Sequence, residues 1–443
     1  MRARRWVVAI VVGSFALVAI AVATLTLLVD PNVFRDEIEA AVRARTGLPL
    51  RIEGELDIAW FPWLAVRTGA AGIGSRQDAG EQVVKWESAR VGARLVPLLQ
   101  GRLVIDRIRV DGLHLDLRRD ATGHGNWEDL LQLDAQSGSV PDADSASRAT
   151  PEIAGLEIRD GAVDFVDARS GRRVQVREWN LDAGEWRSAV ELPIRSSFSV
   201  VLHQAPESDA APLRAEVQID LHVTVSDDFS AFELRDTTLD ARIEGGRFGD
   251  KGIPIEMRAA KLSFTREPLS FSAPDVALRI ADARVQSSVE GLERDGTLRV
   301  GGPVTVEVPS LRALIAALGL EVSPPRDPQA LGALEASANW ALENDALVIE
   351  PLRMKLDGTT IAGRITRSAA ESAVWTVDLR GDEVDLGRYV DVEEKKDDEP
   401  FELPVDAIRA LPLRGSLAFD RARYGDTQMK NLRLHLEHEG SVP

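Results

Sequence analysis

Between Leu213 and Val225 the chain alternates without a slip, and no other feature restricts its fold so tightly. Leu213, Ala215, Val217, Ile219, Leu221, Val223 and Val225 share one parity, and Arg214, Glu216, Gln218, Asp220, His222 and Thr224 share the other. Successive side chains of a strand point to opposite faces, so this segment has one dry face and one wet face. At ~3.3 Å per residue it extends roughly 40 Å, about twice an ordinary strand. Weaker alternation fills most of the chain after residue 50, and a long one-sided sheet must cover its apolar face with something. Two covers fit the pattern. One is a second sheet, which makes a closed sandwich core. The other is a ligand, lying in a U-shaped sheet whose inner face stays open to acyl chains. The scarcity of helices and the continuous meander of strands favour the groove.

Composition narrows the function. With 443 residues and 44% hydrophobic content the chain can bury a large surface and is not globally disordered. A formal net charge of −18 argues against nucleic acid, which needs a concentrated basic face. The absence of cysteine removes disulfides, thiolate metal sites and cysteine nucleophiles together.

Trp6–Val29 carries no charge and reaches ~36 Å as a helix, enough to cross a bilayer core. Arg2, Arg4 and Arg5 precede it and orient the N-terminus to the cytoplasm, with the body on the far side. Ala19-Ile20-Ala21 and Ala21-Val22-Ala23 read as cleavage sites of a signal peptide, but the apolar run continues past both to Val29. The segment is therefore read as an uncleaved anchor, with Trp6, Phe15, Leu17, Leu25 and Leu28 in the membrane.

Beyond the anchor, Asp30-Pro31 reads as N-cap and first residue of a helix carrying Val33, Ile38 and Val42 and ending near Gly47. Strands follow at Leu50–Ile52, Leu56–Ile58, Ala89–Leu95, Leu103–Val110 and Leu113–Leu117, with Asp111-Gly112 as a turn between the last two. Pro151–Val308 reads as strands throughout, punctuated by turns at Asp160-Gly161, Ser170-Gly171, Gly245-Gly246 and Asp295-Gly296. A second helix is placed at Leu311–Leu318, capped by Ser310 and ended by Gly319. Further strands fall at Ala346–Leu356, Thr359–Thr366, Val374–Leu379, Ser416–Arg423 and Lys430–Glu437, with a third helix at Val405–Ala410. No βαβ pattern is present, so antiparallel pairing is expected throughout. Helix followed by strands recurs from near residues 31, 310 and 404, a weak sign of a repeat.

The organisation is thus a stub and anchor (1–29), an N-terminal region (30–133) and a linker rich in Asp, Ser and Ala (134–150). A long β region follows (151–390), then an acidic linker (391–402) and the incomplete start of a further helix-plus-strands module (403–443). The fold class is mainly β: a transmembrane helix followed by a long antiparallel sheet with a few short helices.

Catalytic signals are weak. His435-Leu436-Glu437-His438 has the wrong spacing for a zincin and lies on a strand, which sends the two rings to opposite faces. His114 and His222 alternate with apolar neighbours as wet-face residues. Gly123-His124-Gly125-Asn126-Trp127 lacks the lysine and hydroxyl of a phosphate loop and reads as a turn with a packed tryptophan. No carboxylate pair stands out among 71 acidic residues. The chain reads as non-enzymatic, with no cofactor and no metal.

Leu56-Asp57-Ile58-Ala59-Trp60-Phe61-Pro62-Trp63-Leu64, after an anchor, an Asp-Pro and a helix ending in Thr46-Gly47, resembles the AsmA family. Arg94-Leu95-Val96-Pro97-Leu98-Leu99-Gln100-Gly101-Arg102-Leu103, then Ile105, Ile108 and the Gly-x-Gly-Asn-Trp turn, are similar too. So are Leu311-Arg312-Ala313-Leu314, Leu356-Asp357-Gly358-Thr359, Asp385–Tyr389 and Leu403-Pro404-Val405. Each motif is moderately specific, and their shared order covers nearly the whole chain. The resemblance implies a single-pass protein of the bacterial inner membrane, cytoplasmic at its N-terminus, with its body in the periplasm. It implies a chorein-like N-terminal region, taco-like repeated β-grooves and bridge-type transfer of phospholipid toward the outer membrane. The family's further strands after the region matching Leu413–Glu437 are not in this chain.

These readings lead to a lipid-binding or lipid-transfer protein supporting outer-membrane integrity. Its partners would be phospholipid acyl chains, the inner membrane and other envelope proteins. The groove lining is assigned to Ile105, Ile108, Val110, Leu113, Leu115 and Leu117 and to the dry face of Leu213, Val217, Ile219, Leu221, Val223 and Val225. The alternative is a non-enzymatic scaffold for outer-membrane protein assembly, with closed sandwiches and a protein-binding surface.

Overall fold

The structure, a computed structural model, describes residues 31–59, 63–75, 82–94, 97, 104–128, 152–187, 190–203, 211–226, 228–320, 325–368, 375–389, 413–425 and 427–436. No helix among them is long and apolar enough to cross a membrane. The expected anchor, with Trp6, Phe15, Leu17, Leu25 and Leu28, lies outside the described residues, as do the third helix and the acidic linker. The chain divides at Asp220/Leu221 into two units.

In the first unit a 3-10 turn, Pro31–Phe34, leads into helix α1, Arg35–Thr46. Proline opens that turn, and the α-helix starts only at Arg35. Gly47, at φ 70°, lets its N–H bond Arg43 O at 2.8 Å and ends the helix. Strands β1 (Leu50–Ile52), β2 (Leu56–Ala59), β3 (Trp63–Thr68), β4 (Ala71–Gly74), β5 (Gln82–Trp86) and β6 (Ser88–Arg94) follow. The pairs β1–β4, β4–β5, β2–β3 and β3–β6 are antiparallel. Ile52, Leu56 and Ala71 form a small closed core with Leu50 and Trp86 against it. Trp86 Nε1 donates to Thr68 Oγ1 at 3.0 Å. Alternation did not reveal β4 and β5, whose glycines and short length blur it.

Next come β7 (Val104–Ile105), β8 (Ile108–Asp111), β9 (His114–Arg119), β10 (Glu152–Ile153), β11 (Leu156–Asp167), β12 (Arg173–Ala183) and β13 (Leu192–His203). β14 (Leu213–Val225) runs across the division between the units. Three expectations fail here. The strand placed at Leu103–Val110 breaks at Asp106-Arg107 into β7 and β8. Asp111-Gly112 is not a hairpin turn, because β8 and β9 lie in line along the same side of β11. Asp160-Gly161 is not a turn either: it is a bulge inside β11, with Asp160 at φ 50° and a register shift between Ile158 and Gly161.

Pairing is mixed rather than antiparallel throughout. β10–β7, β11–β8 and β11–β9 are parallel. So is β23–β24 in the second unit. Parallel neighbours need a crossover of a dozen or more residues. Both sets fall across the segments that composition marks as linkers, 134–150 and 391–402, which supply the length without a helical pattern.

The second unit contains β15 (Ala231–Glu244), β16 (Ile253–Thr265), β17 (Ser270–Ile280), β18 (Ala283–Arg294) and β19 (Thr297–Val308). Helix α2 (Leu311–Ala317) precedes β20 (Leu334–Glu343), β21 (Ala346–Leu356), β22 (Thr359–Arg367), β23 (Trp375–Asp385), β24 (Leu413–Tyr424) and β25 (Thr427–Leu436). Ser310 Oγ caps α2 by accepting from Ala313 N at 3.2 Å, as its sequence predicts. The turns at Ser170-Gly171, Gly245-Gly246 and Asp295-Gly296 all fall between strands. β20 was missed, because alanine at Ala336 and Ala338 weakens its dry parity.

A line of irregularities crosses these strands. It runs through Asp236 (φ 48°), the register shift at Ala273/Val276, Gly302, the shift at Ile349/Leu352, Gly363 (φ 153°) and Gly415 (φ 122°). A Cβ on Gly363 would stand 2.0 Å from Asp378 O, and one on Gly415 1.9 Å from Val377 O. Each strand bends where it crosses this line, and only glycine fits at these close approaches.

The end of the sheet beside α2 is tied by a polar clip. Asp357 accepts from Leu331 N at 2.6 Å, Gly332 N at 2.7 Å and the Tyr389 hydroxyl at 2.8 Å. Arg388 Nε donates to Asp327 at 2.6 Å, and Arg312 donates to the carbonyls of Asp327 and Ala330. Burial and the hydrogen bond to Asp357 push the Tyr389 phenol up to about 12.

Two measurements follow. Gly415→Ala should cost about 3 kcal/mol in chemical denaturation, against about 1 for Gly296→Ala. Gly296 also has positive φ, 74°, but open space around it. Equal costs would remove the crease. The Tyr389 phenol holds its proton more tightly folded than unfolded. Its contribution to stability is therefore full below about pH 10 and is lost as pH rises through about 12. The chain has two tyrosines, so in a Tyr424→Phe protein the absorbance titration should report Tyr389 alone, near 12. Asp357→Asn should bring that value only part of the way down, because burial is the larger cause.

Candidate functional site

Register places the dry parities of neighbouring strands side by side. In the first unit one row runs Leu115–Val163–Val176–Val200 and the next Leu117–Phe165–Val174–Leu202. Two more run Ile108–Leu156–Ala183–Ile194 and Val110–Ile158–Leu181–Ser196. Ser196 is the one polar side chain in these rows, and its Oγ accepts from Trp179 Nε1 at 3.2 Å. Arg195 bonds Asp220 at 3.1 Å on the wet side, which leaves Ile219 on the dry side with Leu213 and Val217. Ile105 stands in register with Ile153, and the Leu113 carbonyl accepts from Ala162 N. All six assigned residues from Ile105 to Leu117 are half-buried, as are Leu213, Val217 and Ile219. The structure gathers most of the first unit's assigned lining on one sheet face.

In the second unit Leu221, Val223 and Val225 are half-buried. The longest row there was not assigned from the sequence. It runs Leu239–Met257–Leu278–Val285–Val306–Ala336–Met354–Ile361–Gly381–Phe419–Leu432, from β15 to β25. Beside it runs Val304–Ala338–Leu352–Gly363–Leu379–Leu417–Leu434. Neither row contains a titratable group. Every side chain in both is half-buried. The opposite face reads Glu256–Arg279–Arg284–Glu307–Glu335–Lys355–Thr360. Phase slips hid the long row: on β15 the apolar parity changes at Asp236, from Phe232 and Leu234 to Leu239, Ala241 and Ile243.

Full burial is concentrated at strand ends rather than along these rows. Ile253, Ala283 and Val308, at the ends of β16, β18 and β19, are 3–5% exposed. Facing sheets of a closed sandwich would bury the strand centres as deeply. What the rows offer chemically is a charge-free apolar surface, without hydrogen-bonding side chains, screened from water on one side only.

The wet face carries the electrostatics. Glu157 pairs with Arg109 and Arg159 at 2.7 and 2.6 Å. Burial would raise its pKa, but the two guanidiniums outweigh burial and hold it below the usual range. His114 faces Asp164 at 3.3 Å, a wet-face position as its parity predicts. A hollow of about 780 Å³ over Ser263, Ser272, Glu290, Arg299 and Glu343 belongs to the same polar parity and does not suit acyl chains.

The turn at Gly123–Trp127 is structural. Asp120 Oδ1 accepts from Thr122 N, Gly123 N and His124 N at 2.8–3.0 Å, so the amides a phosphate would use are taken. Trp127 packs on Phe165, ring centroids 5.8 Å apart. Among the described residues no group of histidine, aspartate and glutamate could hold a metal ion. Glu437 and His438 lie outside them.

Over 162 residues the chain is 27% identical to Protein AsmA of Escherichia coli (strain K12), a match covering 37% of this chain and 26% of that protein. The aligned part thus spans about a quarter of that relative's length. No solved structure matches the chain. The family model described as AsmA family matches residues 1–393. With that match over most of its length, the chain belongs to the AsmA family.

Proposed function

We propose that this chain is a lipid-binding and lipid-transfer protein, anchored in the inner membrane with its body in the periplasm, that supports phospholipid traffic to the outer membrane. The observation that carries the reading is the pair of charge-free apolar rows crossing the second unit with every side chain half-buried. An apolar surface of that extent marks a site for a lipid or protein partner. Membership of the AsmA family supports an envelope role, and the apolar run Trp6–Val29 supports the anchor.

The mechanism needs no bond chemistry. Acyl tails lie along the dry face while head groups stay in water, each sheltered CH₂ contributing roughly 0.8 kcal/mol. Successive rows offer nearly equal shelter, so a lipid meets no deep trap as it moves from strand to strand. The wet face, ion-paired throughout, keeps the protein soluble on its other side.

The protein produced in the periplasm and purified without detergent should carry several phospholipids per chain in native mass spectrometry. A lipid-free, monodisperse protein would favour the scaffold reading, in which the apolar faces cover each other. Ile219→Asp places a carboxylate on the dry face and should slow vesicle-to-vesicle phospholipid transfer by about tenfold or more. Gln218→Asp, one residue away on the wet face, should leave transfer unchanged. Equal rates in the two folded variants would count against the groove.

A further inference from the structure

The side of α1 that touches the body is polar and the side facing away is apolar, the reverse of a helix covering a soluble core. Asn32, Arg35 and Glu39 hydrogen-bond backbone groups of Leu56, Gly54 and Ile52 at the strand edges. Val42 and Thr46 continue that half-buried side. On the far side Phe34 is 50% exposed and Ile38, one turn on, is 38% exposed. Ala41 is exposed next in line. Val33, in the turn before the helix, is 69% exposed. The sequence reading of Val33, Ile38 and Val42 as one apolar set is corrected here: only Val42 turns toward the body.

The chain preceding the helix identifies what covers this stripe. Trp6–Val29, uncharged and of bilayer length, ends just before Asp30-Pro31. Val33 and Phe34 therefore stand within a few residues of the point where that segment would leave the membrane. The same unit exposes a second apolar pair, Val66 opposite Val91. Val66 also pairs with Ile58, two positions along β2 from the Leu56 that Asn32 holds.

We infer that the outward face of α1, with Phe34, Ile38 and Val33, lies in the interface of the bilayer that the N-terminal segment spans, among the upper acyl chains. This rests on reading Trp6–Val29 as a membrane anchor. The helix then acts as a clamp, bonded on one side to strand backbones and held on the other by lipid. A lone anchor would let the body swivel; the clamp fixes β1 and β2 at the membrane surface.

The chain has no cysteine, so single-cysteine variants of the full protein take a fluorophore at one position. Phe34→Cys and Ile38→Cys would be compared with Asp36→Cys and Arg43→Cys, which are exposed on other sides of the helix. Each labelled protein is incorporated into phosphatidylethanolamine–phosphatidylglycerol vesicles containing lipid with a quencher on the upper acyl chain. Labels at 34 and 38 should be quenched about threefold more than those at 36 and 43. Equal quenching in protein that floats with the vesicles overturns the clamp and leaves the anchor standing. Protein that does not float with them overturns the anchor, and the clamp with it.

Discussion

A β-strand delivers its side chains to two faces in strict alternation, and in this chain the two sets go to different environments along strand after strand. The wet set is charged and ion-paired. The dry set is uncharged and stops at half-burial. Everything distinctive about the protein depends on that incomplete burial. If Leu278, Val285, Val306 and Met354 were covered by a second sheet, the same sequence would make an ordinary core with no further role. Leaving them half-covered costs stability unless an apolar ligand completes the cover.

The devices that shape the sheet are subordinate to this. The crease through Gly302, Gly363 and Gly415 bends each strand at one level, where neighbouring carbonyls leave no room for a Cβ. The clip of Asp327, Asp357, Arg388 and Tyr389 ties the strand ends beside α2. There the burial is complete, at Ile253, Ala283 and Val308, so stability is concentrated at the strand ends while the strand centres stay apolar and half-covered.

How much of this could be read beforehand depended on the physics behind each signal. The alternation of Leu213–Val225 placed β14 to the residue, and Ser310 and Gly319 marked α2, because local geometry sets both. The hairpin at Asp295-Gly296 was legible for the same reason. Parallel pairing of β11 with β8 and β9 was not, since partner and direction are set by contacts distant in sequence. The linkers 134–150 and 391–402 were visible as composition, but their use as crossovers was not. Bulges defeated the pattern most thoroughly: Asp160-Gly161 looks like a turn, and the phase slip at Asp236 hid the long apolar row. On α1 the periodicity was present, but its apolar stripe turns away from the body because Asn32, Arg35 and Glu39 satisfy strand-edge backbone groups on the other side.

The central claim is that the dry rows are lined by lipid rather than by protein. The most direct test is site-specific photo-crosslinking in intact cells, with a reactive side chain placed in turn at Leu278, Val306, Met354 and Leu432 and at wet-face Arg279, Glu307 and Lys355. The account predicts phospholipid adducts at every dry position and none at the wet ones. Adducts to protein alone at the dry positions would show that the faces are closed, and would contradict it.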